Sequence, residues 1–299
     1  DIAGIGTDSI RWIATDAGQR MDIAELERTI VEDRSRGDLP LMIVGTAGTV
    51  ATGAVDPLAA ISSIAKKYNI WFHVDGAYGA FAASLPEASG DLRALSLADS
   101  VAVDPHKWLY TPLECGCALV RDRALLRETF HRQPSYYRFT GEPGDEPTNF
   151  YEYGPQNSRG FRALKVWLGM KQAGRDGIVR MIREDIKLAD SLRDALAAHP
   201  EIETRTKELS IVTFRYVPEG FGDGSPAHEE YLNRLNAELL GRIQGGGEAF
   251  VSNAVVGGTT LLRACIVNFR TTEADVRAIP EIVARYGRGI HAAMGANRH

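Results

Sequence analysis

The chain has 299 residues, 44% of them hydrophobic and 24% charged, with a net charge of −5 and a pI near 5.9. This composition excludes a disordered chain, a collagen and a small disulfide scaffold, and its acidic balance offers no basic footprint for nucleic acid. No run approaches the ~18 apolar residues of a membrane helix and no secretory signal pattern is read, so a soluble, cytoplasmic protein without a membrane partner is expected.

The predicted elements begin with a strand from Ile10 to Thr15. Asp22 then caps a helix through Arg34, with Glu25 three residues on and Ile23, Leu26 and Ile30 on one face. Leu41 to Gly45 is a short apolar strand. Asp56 and Pro57 open a helix that runs to Tyr68, with Pro57 at its first position. Further strands are read at Ile70 to Val74, Ser100 to Val103 and Gly116 to Val120. Strands alternating with helices predict an α/β fold with a largely parallel sheet covered on both faces. Such sheets carry ligand sites in the loops at the carboxyl ends of their strands.

Residues 130–155 break the pattern with Tyr136, Tyr137, Pro143, Gly144, Pro147, Tyr151 and Tyr153, and a loop of this length is expected to be functional or mobile. Helical periodicity resumes from Arg159 to Leu196, interrupted near Gly174 to Gly177. A strand (Ser210 to Tyr216), a helix (Glu229 to Arg242) and two strand-like runs (Ala249 to Val255 and Thr260 to Asn268) follow. Thr272, with Asp275 three residues on, caps a closing helix to Tyr286. Two units are expected: residues 1–170, including the 130–155 loop, and a smaller α+β unit over residues 171–299.

The three cysteines, Cys115, Cys117 and Cys265, have no zinc spacing, so no metal site is expected; Cys115 and Cys117 read as core residues in a reducing compartment. The chemistry lies elsewhere, in His73-Val74-Asp75-Gly76-Ala77-Tyr78-Gly79 and in Asp104-Pro105-His106-Lys107-Trp108. An acid ends one strand, and a lysine sits just beyond the end of the next, 32 residues later. Pyridoxal 5'-phosphate needs such a pair: a carboxylate to keep its ring nitrogen protonated and an amine to form a Schiff base. Bland readings stand beside these: Asp75 as a helix cap, and His106 as a structural histidine. His73 shares a strand face with Asp75 and either orients its carboxylate or is simply a satisfied buried histidine.

The motifs HVDGAYG, ADSVAVDPHKWLYTPLECGCALVRD and GTAGTVATGAVDP resemble the group II pyridoxal-phosphate-dependent amino acid decarboxylases of fold type I, a family that includes aromatic amino acid, histidine and glutamate decarboxylases. The resemblance covers essentially the whole chain. It implies decarboxylation of an L-amino acid, by overall likeness an aromatic one, to the amine and CO2 by a homodimer. It implies Lys107 as the Schiff-base lysine, Asp75 on the pyridine nitrogen, Ala77 against a ring face, and Asp104 and His106 near the phosphate and the lysine. Tyr136, in the QPSYYRF stretch, matches a loop tyrosine implicated in protonating the carbanion. Arg263 matches an arginine that meets the substrate carboxylate in some members; the rival reading is a structural or rim arginine.

Two departures qualify the likeness. Val50 stands where relatives often have a second threonine, which leaves Thr49 as the available hydroxyl near the cofactor. Relatives also carry roughly two hundred residues before the segment matching Asp1, among them the loop whose backbone N–H groups cradle the phosphate. Two alternatives follow. One is an aldehyde-forming oxidative enzyme of the same fold, in which phenylalanine typically replaces the tyrosine at position 136. The other is a catalytically incompetent chain acting as a dimerising scaffold.

Overall fold

The computed structural model describes residues 4–132, 148–221 and 224–296. Among them, two four-stranded sheets each carry a hydrophobic core. The first sheet has the order β1 (Met42–Thr46), β2 (Trp71–Asp75), β3 (Ser100–Val103), β4 (Cys117–Val120). The first three strands run parallel, and β4 returns antiparallel against β3.

The helices on this sheet follow from local signals. Helix α1 (Ile23–Ser35) starts at Asp22, whose side chain accepts from the Ala24 and Glu25 amides, satisfying two of the donors that a helix start leaves unpaired. Helix α2 (Leu58–Tyr68) has Pro57 as its cap rather than its first residue and stops at Asn69, which takes a left-handed conformation. Leu26, Ile30, Leu58 and Ile61 bury against Ile43, Phe72 and Val74, each such side chain contributing roughly 1.5–3 kcal/mol. The carboxylate of Asp56 is buried beneath these elements and accepts from the amides of Met21 and Thr46, both at 2.7 Å.

The other face of this sheet departs from expectation. Met42 and Val44 remain 49% and 47% exposed, so among the described residues the sheet is covered on one face and not on both. The Ile10–Thr15 strand does not form. Among the described residues that stretch makes only an isolated bridge between Thr15 and Met21, with no strand alongside to complete a ladder. Cys115 is buried as expected, whereas Cys117 lies exposed on β4.

After α3 (Gly90–Arg93) and α4 (Arg123–Phe130), the long α5 (Arg162–Ala197) connects the two cores. Gly174 interrupts it with φ 65° and ψ 171°, a backbone conformation open chiefly to glycine. Val179 and Ile182 join the first core, and Ala189, Leu192 and Leu196 join the second.

The second sheet is antiparallel, in the order β5 (Ile202–Glu208), β6 (Ile211–Tyr216), β8 (Thr259–Cys265), β7 (Ser252–Val256). Helices α6 (Pro226–Gly246) and α7 (Glu273–Ala296) pack with α5 over it. The expected cap of α7 is present as a reciprocal pair: the Thr272 amide donates to Asp275, and the Asp275 amide donates to the Thr272 hydroxyl.

Candidate active site

Strands β1, β2 and β3 are parallel, so their carboxyl ends lie along one edge, and three loops meet there. Thr46 pairs with Asp75, and Asp75 pairs with Ala102. The 46–56 loop lies against the 75–79 turn. The Gly79 amide donates to the Ala47 carbonyl at 3.0 Å, and a Cβ on Gly79 would stand 2.5 Å from that same oxygen. Gly48, at φ +91°, comes so near the Tyr78 ring that a Cβ would stand 2.8 Å from it. The 75–79 turn meets the 103–111 turn through the Asp104 amide, 3.3 Å from the Ala77 carbonyl. The Tyr78 and Trp108 rings stack at 4.9 Å and 12°.

Asp75 is exposed at the end of β2, and its Oδ1 accepts from the Ala77 amide at 3.1 Å. It makes a local turn and is not a helix cap. Lys107 Nζ lies 2.8 Å from Asp104 Oδ2, with the lysine side chain 43% exposed. His106 Nε2 is 3.9 Å from the same carboxylate oxygen. Its Nδ1 is 2.6 Å from the Cys115 carbonyl oxygen and 3.1 Å from the Cys115 amide nitrogen, so one tautomer donates to the backbone and the other accepts from it. Thr49 is spoken for within its own loop: its hydroxyl is 2.9 Å from that of Thr52 and accepts from the Ala54 amide.

His73 shares its face of β2 with Asp75 and belongs to a chain of polar groups. The Trp71 indole donates to Ser100 Oγ at 2.8 Å, and Ser100 Oγ lies 2.7 Å from His73 Nδ1. Burial pushes the imidazole below its ordinary value, outweighing the pull of the Asp75 charge in the opposite direction. NMR titration of the His73 ring is therefore expected to show a midpoint below the unperturbed ~6.5. The unfolded chain then binds more protons in the window between the two values, so this contribution to stability is full above the unfolded value and is lost as pH falls through the window. A midpoint at or above the unperturbed value would contradict the reading.

Arg263 lies on β8, opposite Thr213 of β6, and its Nη1 donates to Ser252 Oγ at 2.7 Å. Its Nε is buried without a hydrogen-bond partner among the described residues. Burial raises the Cys265 thiol, while the charges of Arg263 and Lys107 both draw it down. Tyr136 lies outside the described residues.

Sequence reading missed what sits beneath these turns. Trp108 is fully buried, and its Nε1 donates to Asp185 Oδ2 at 2.8 Å. The Tyr110 hydroxyl donates to the same oxygen. Tyr78 shares a 2.6 Å hydroxyl–hydroxyl bond with Ser210, whose amide donates back to it. Burial raises the Asp185 carboxyl, and the Tyr110 and Trp108 donors oppose that. One available signal was Asp185 itself, a lone acid on the buried stripe of α5.

Asp75 and Lys107 are thus an accessible acid and an accessible amine on one sheet edge. The neighbouring positions, Ala77 and Ala102, carry only methyl groups. This donor set fits pyridoxal phosphate. Among the described residues no cluster of histidine, cysteine and acidic side chains is placed to hold a metal ion.

The pyridoxal-dependent decarboxylase conserved domain matches the chain over residues 1–217. The chain belongs to that family. It is 34% identical over 279 residues to an aromatic-L-amino-acid decarboxylase of Bacillus atrophaeus, covering 93% of this chain and 57% of the relative. It is 33% identical over 293 residues to a phenylacetaldehyde synthase of a Rosa hybrid cultivar, covering 97% of this chain and 58% of that protein. Among solved structures it superposes on Oryza sativa TDC, crystallised with PLP and tryptamine, with a TM-score of 0.87 and 31% identity; 97% of this chain and 59% of the other are covered. This member of the decarboxylase family therefore spans less than two thirds of the length of these relatives. The family and the α/β, fold type I architecture expected from the HVDGAYG and PHKWL motifs are borne out.

Proposed function

We propose that this protein decarboxylates an L-amino acid, of the aromatic class, to the amine and CO2 with pyridoxal 5'-phosphate as cofactor. The observation that carries the reading is the placement of Asp75 and Lys107 at the ends of adjacent parallel strands, tied to each other through the Asp104–Ala77 bond and the Tyr78–Trp108 stack. When bound, the cofactor supplies covalent attachment to an amine and an aromatic electron sink.

The remaining work falls to the chain. Lys107 must lose a proton before its amine acts as a nucleophile, and Asp104 Oδ2, at 2.8 Å, is the acceptor at hand. His106 Nε2, 3.9 Å beyond, is the next site for that proton. The Ala77 amide fixes one oxygen of Asp75 and leaves the other to hold a proton on a ring nitrogen. Ala77 keeps its side of the site free of bulk. Thr49 holds its loop in shape through Thr52 and Ala54. Arg263, braced by Ser252 and with Nε unused, is the group for a substrate carboxylate. Tyr136 is assigned as the donor of the proton that takes the place of the departing CO2 at Cα.

The proposal extends to organisation. The division is placed at residues 1–170 and 171–299. A homodimer is supported by the exposed Leu164, Trp167, Leu168 and Met170 on the first turns of α5. A cytoplasmic location is supported by three free thiols. No helix of the described residues is long and apolar enough to cross a membrane.

A second reading, aldehyde formation with release of peroxide, is favoured by the likeness to the phenylacetaldehyde synthase and disfavoured by Tyr136. Incubation with each L-amino acid, following amine, CO2, aldehyde and hydrogen peroxide, separates the two. Equimolar amine and CO2 from an aromatic substrate is the expected result. Aldehyde with peroxide would transfer the chain to the second reading. No turnover and no cofactor uptake would favour the non-catalytic scaffold.

A further inference from the structure

Beneath the lysine turn lies a buried acid that the chemistry above leaves unused. Asp185 is 3% exposed, on a stripe of α5 otherwise formed by Val179, Ile182, Ala189, Leu192 and Leu196. An acid in such a place loses hydration and persists only where donors meet it. Both of its donors come from the lysine turn. Trp108 and Tyr110, one and three residues after Lys107, give their polar hydrogens to the same Oδ2. Tyr110 also takes φ +55°, a conformation that residues with a Cβ adopt rarely and keep only where surrounding structure holds them. Trp108 also stacks on Tyr78, three residues after Asp75, and Tyr78 is itself bonded to Ser210.

We propose that Asp185 is a positioning residue for the reaction: by receiving Trp108 and Tyr110 on one oxygen it fixes the turn that presents Lys107, and through the Tyr78–Trp108 stack it fixes that turn relative to Asp75. The proposal rests on the cofactor reading given above. It assigns to α5, 77 residues along the chain from Trp108, control over the alignment of the acid and amine. Small displacements of aligned groups are costly, with a shift of about 1 Å worth on the order of 10²-fold in rate.

The test uses the whole chain in four variants. Asp185→Ala removes the acceptor, and Asp185→Asn keeps an oxygen for both donors. Tyr110→Phe deletes one donor and leaves the ring, and so decides the matter if Asp185→Ala does not fold. Asn236→Ala is the stability control: Asn236 is fully buried and bridges the Tyr216 backbone and Leu232, in the second core. Two quantities are read in each folded variant. One is hydrogen exchange at the amides of Lys107, Tyr110 and Thr111, which bond to Asp104, Lys107 and Pro105 within the turn. The other is affinity for pyridoxal phosphate.

Asp185→Ala is expected to speed exchange at those amides and weaken cofactor binding by about 10- to 100-fold each, the worth of a hydrogen bond to a charged group. Tyr110→Phe should move both in the same direction by a smaller factor. Asp185→Asn should stay within about threefold of the parent, since a neutral acceptor keeps most of the geometry. Asn236→Ala should lower the melting temperature and leave both quantities alone. Unchanged exchange in Asp185→Ala, or in Tyr110→Phe where the former does not fold, would overturn the proposal. So would equal effects from Asn236→Ala, or Asp185→Asn behaving like Asp185→Ala. If the parent chain takes up no pyridoxal phosphate, the cofactor reading fails on its own, and exchange at the three amides still decides whether Asp185 holds the lysine turn.

Discussion

Lys107→Ala is expected to abolish both amine formation and the visible absorbance band of lysine-bound cofactor, with a rate loss on the order of 10⁴-fold or more, the scale seen when a covalent nucleophile is removed. The expectation follows from geometry and not from the lysine's charge alone. Lys107 stands in the turn just past the end of β3, the strand that pairs with β2 and its terminal Asp75, and its amine is already in contact with Asp104. Lys107→Arg separates the two contributions. A guanidinium keeps an ion pair with Asp104 but does not supply a nucleophilic amine at neutral pH. It should therefore be as inactive as the alanine variant while remaining at least as stable. Activity retained in either variant would remove Lys107 from the chemistry.

Trp108→Ala is expected to cause the largest loss of stability of any single side-chain truncation near the site. Trp108 is fully buried, and removing a buried tryptophan costs about 3–5 kcal/mol. The ring also stacks on Tyr78, which adds roughly 0.5–1.5 kcal/mol. Its indole donor leaves with it, so Asp185 would keep only Tyr110 of the pair. A total near 5 kcal/mol is comparable to the entire stability of many domains, so the variant should be largely unfolded or collect in aggregates. Trp12, 88% exposed, is the contrast, and Trp12→Ala should change stability by no more than about 0.5 kcal/mol. Urea unfolding followed by circular dichroism measures both. A Trp108→Ala chain within about 1 kcal/mol of the parent would contradict the burial argument.

The elements legible in the sequence were those whose signals are local. Asp22 with Ala24 and Glu25, Thr272 with Asp275, and Gly174 inside α5 each act within a few residues, and each sits where the pattern placed it. The strand ends at Asp75 and Val103 were equally clear, because apolar runs there stop at polar turns. The failures have physical causes. Ile10 to Thr15 has a strand-like pattern, but a strand needs a partner, and among the described residues only the Thr15–Met21 bridge forms. Strand β5 was overlooked because it is an edge strand, Ile-Glu-Thr-Arg-Thr-Lys-Glu, whose side chains face water at several positions. Helix α4 was overlooked because it is short: its eight residues carry only Leu125, Leu126 and Phe130 as large apolar positions, too few to establish a period.

At the proposed site, motif and strand order together pointed to Asp75, Asp104, His106 and Lys107. The groups that brace them did not show. Ser100 meets His73 through sheet register, Ser210 meets Tyr78 from 132 residues along the chain, and Asp185 meets Trp108 through the packing of a distant helix. None of these contacts leaves a spacing to read. What it leaves instead is a residue out of place, such as an acid on an apolar stripe.

The central claim is that Lys107 is the amine through which pyridoxal phosphate is held. The most direct measurement is borohydride reduction of the chain mixed with pyridoxal phosphate, followed by peptide mass mapping. A single phosphopyridoxyl increment on the peptide that carries Lys107, absent from Lys107→Ala, is the predicted result. An increment spread over Lys66, Lys67 and other surface lysines, with the Lys107 peptide unmodified, would contradict it.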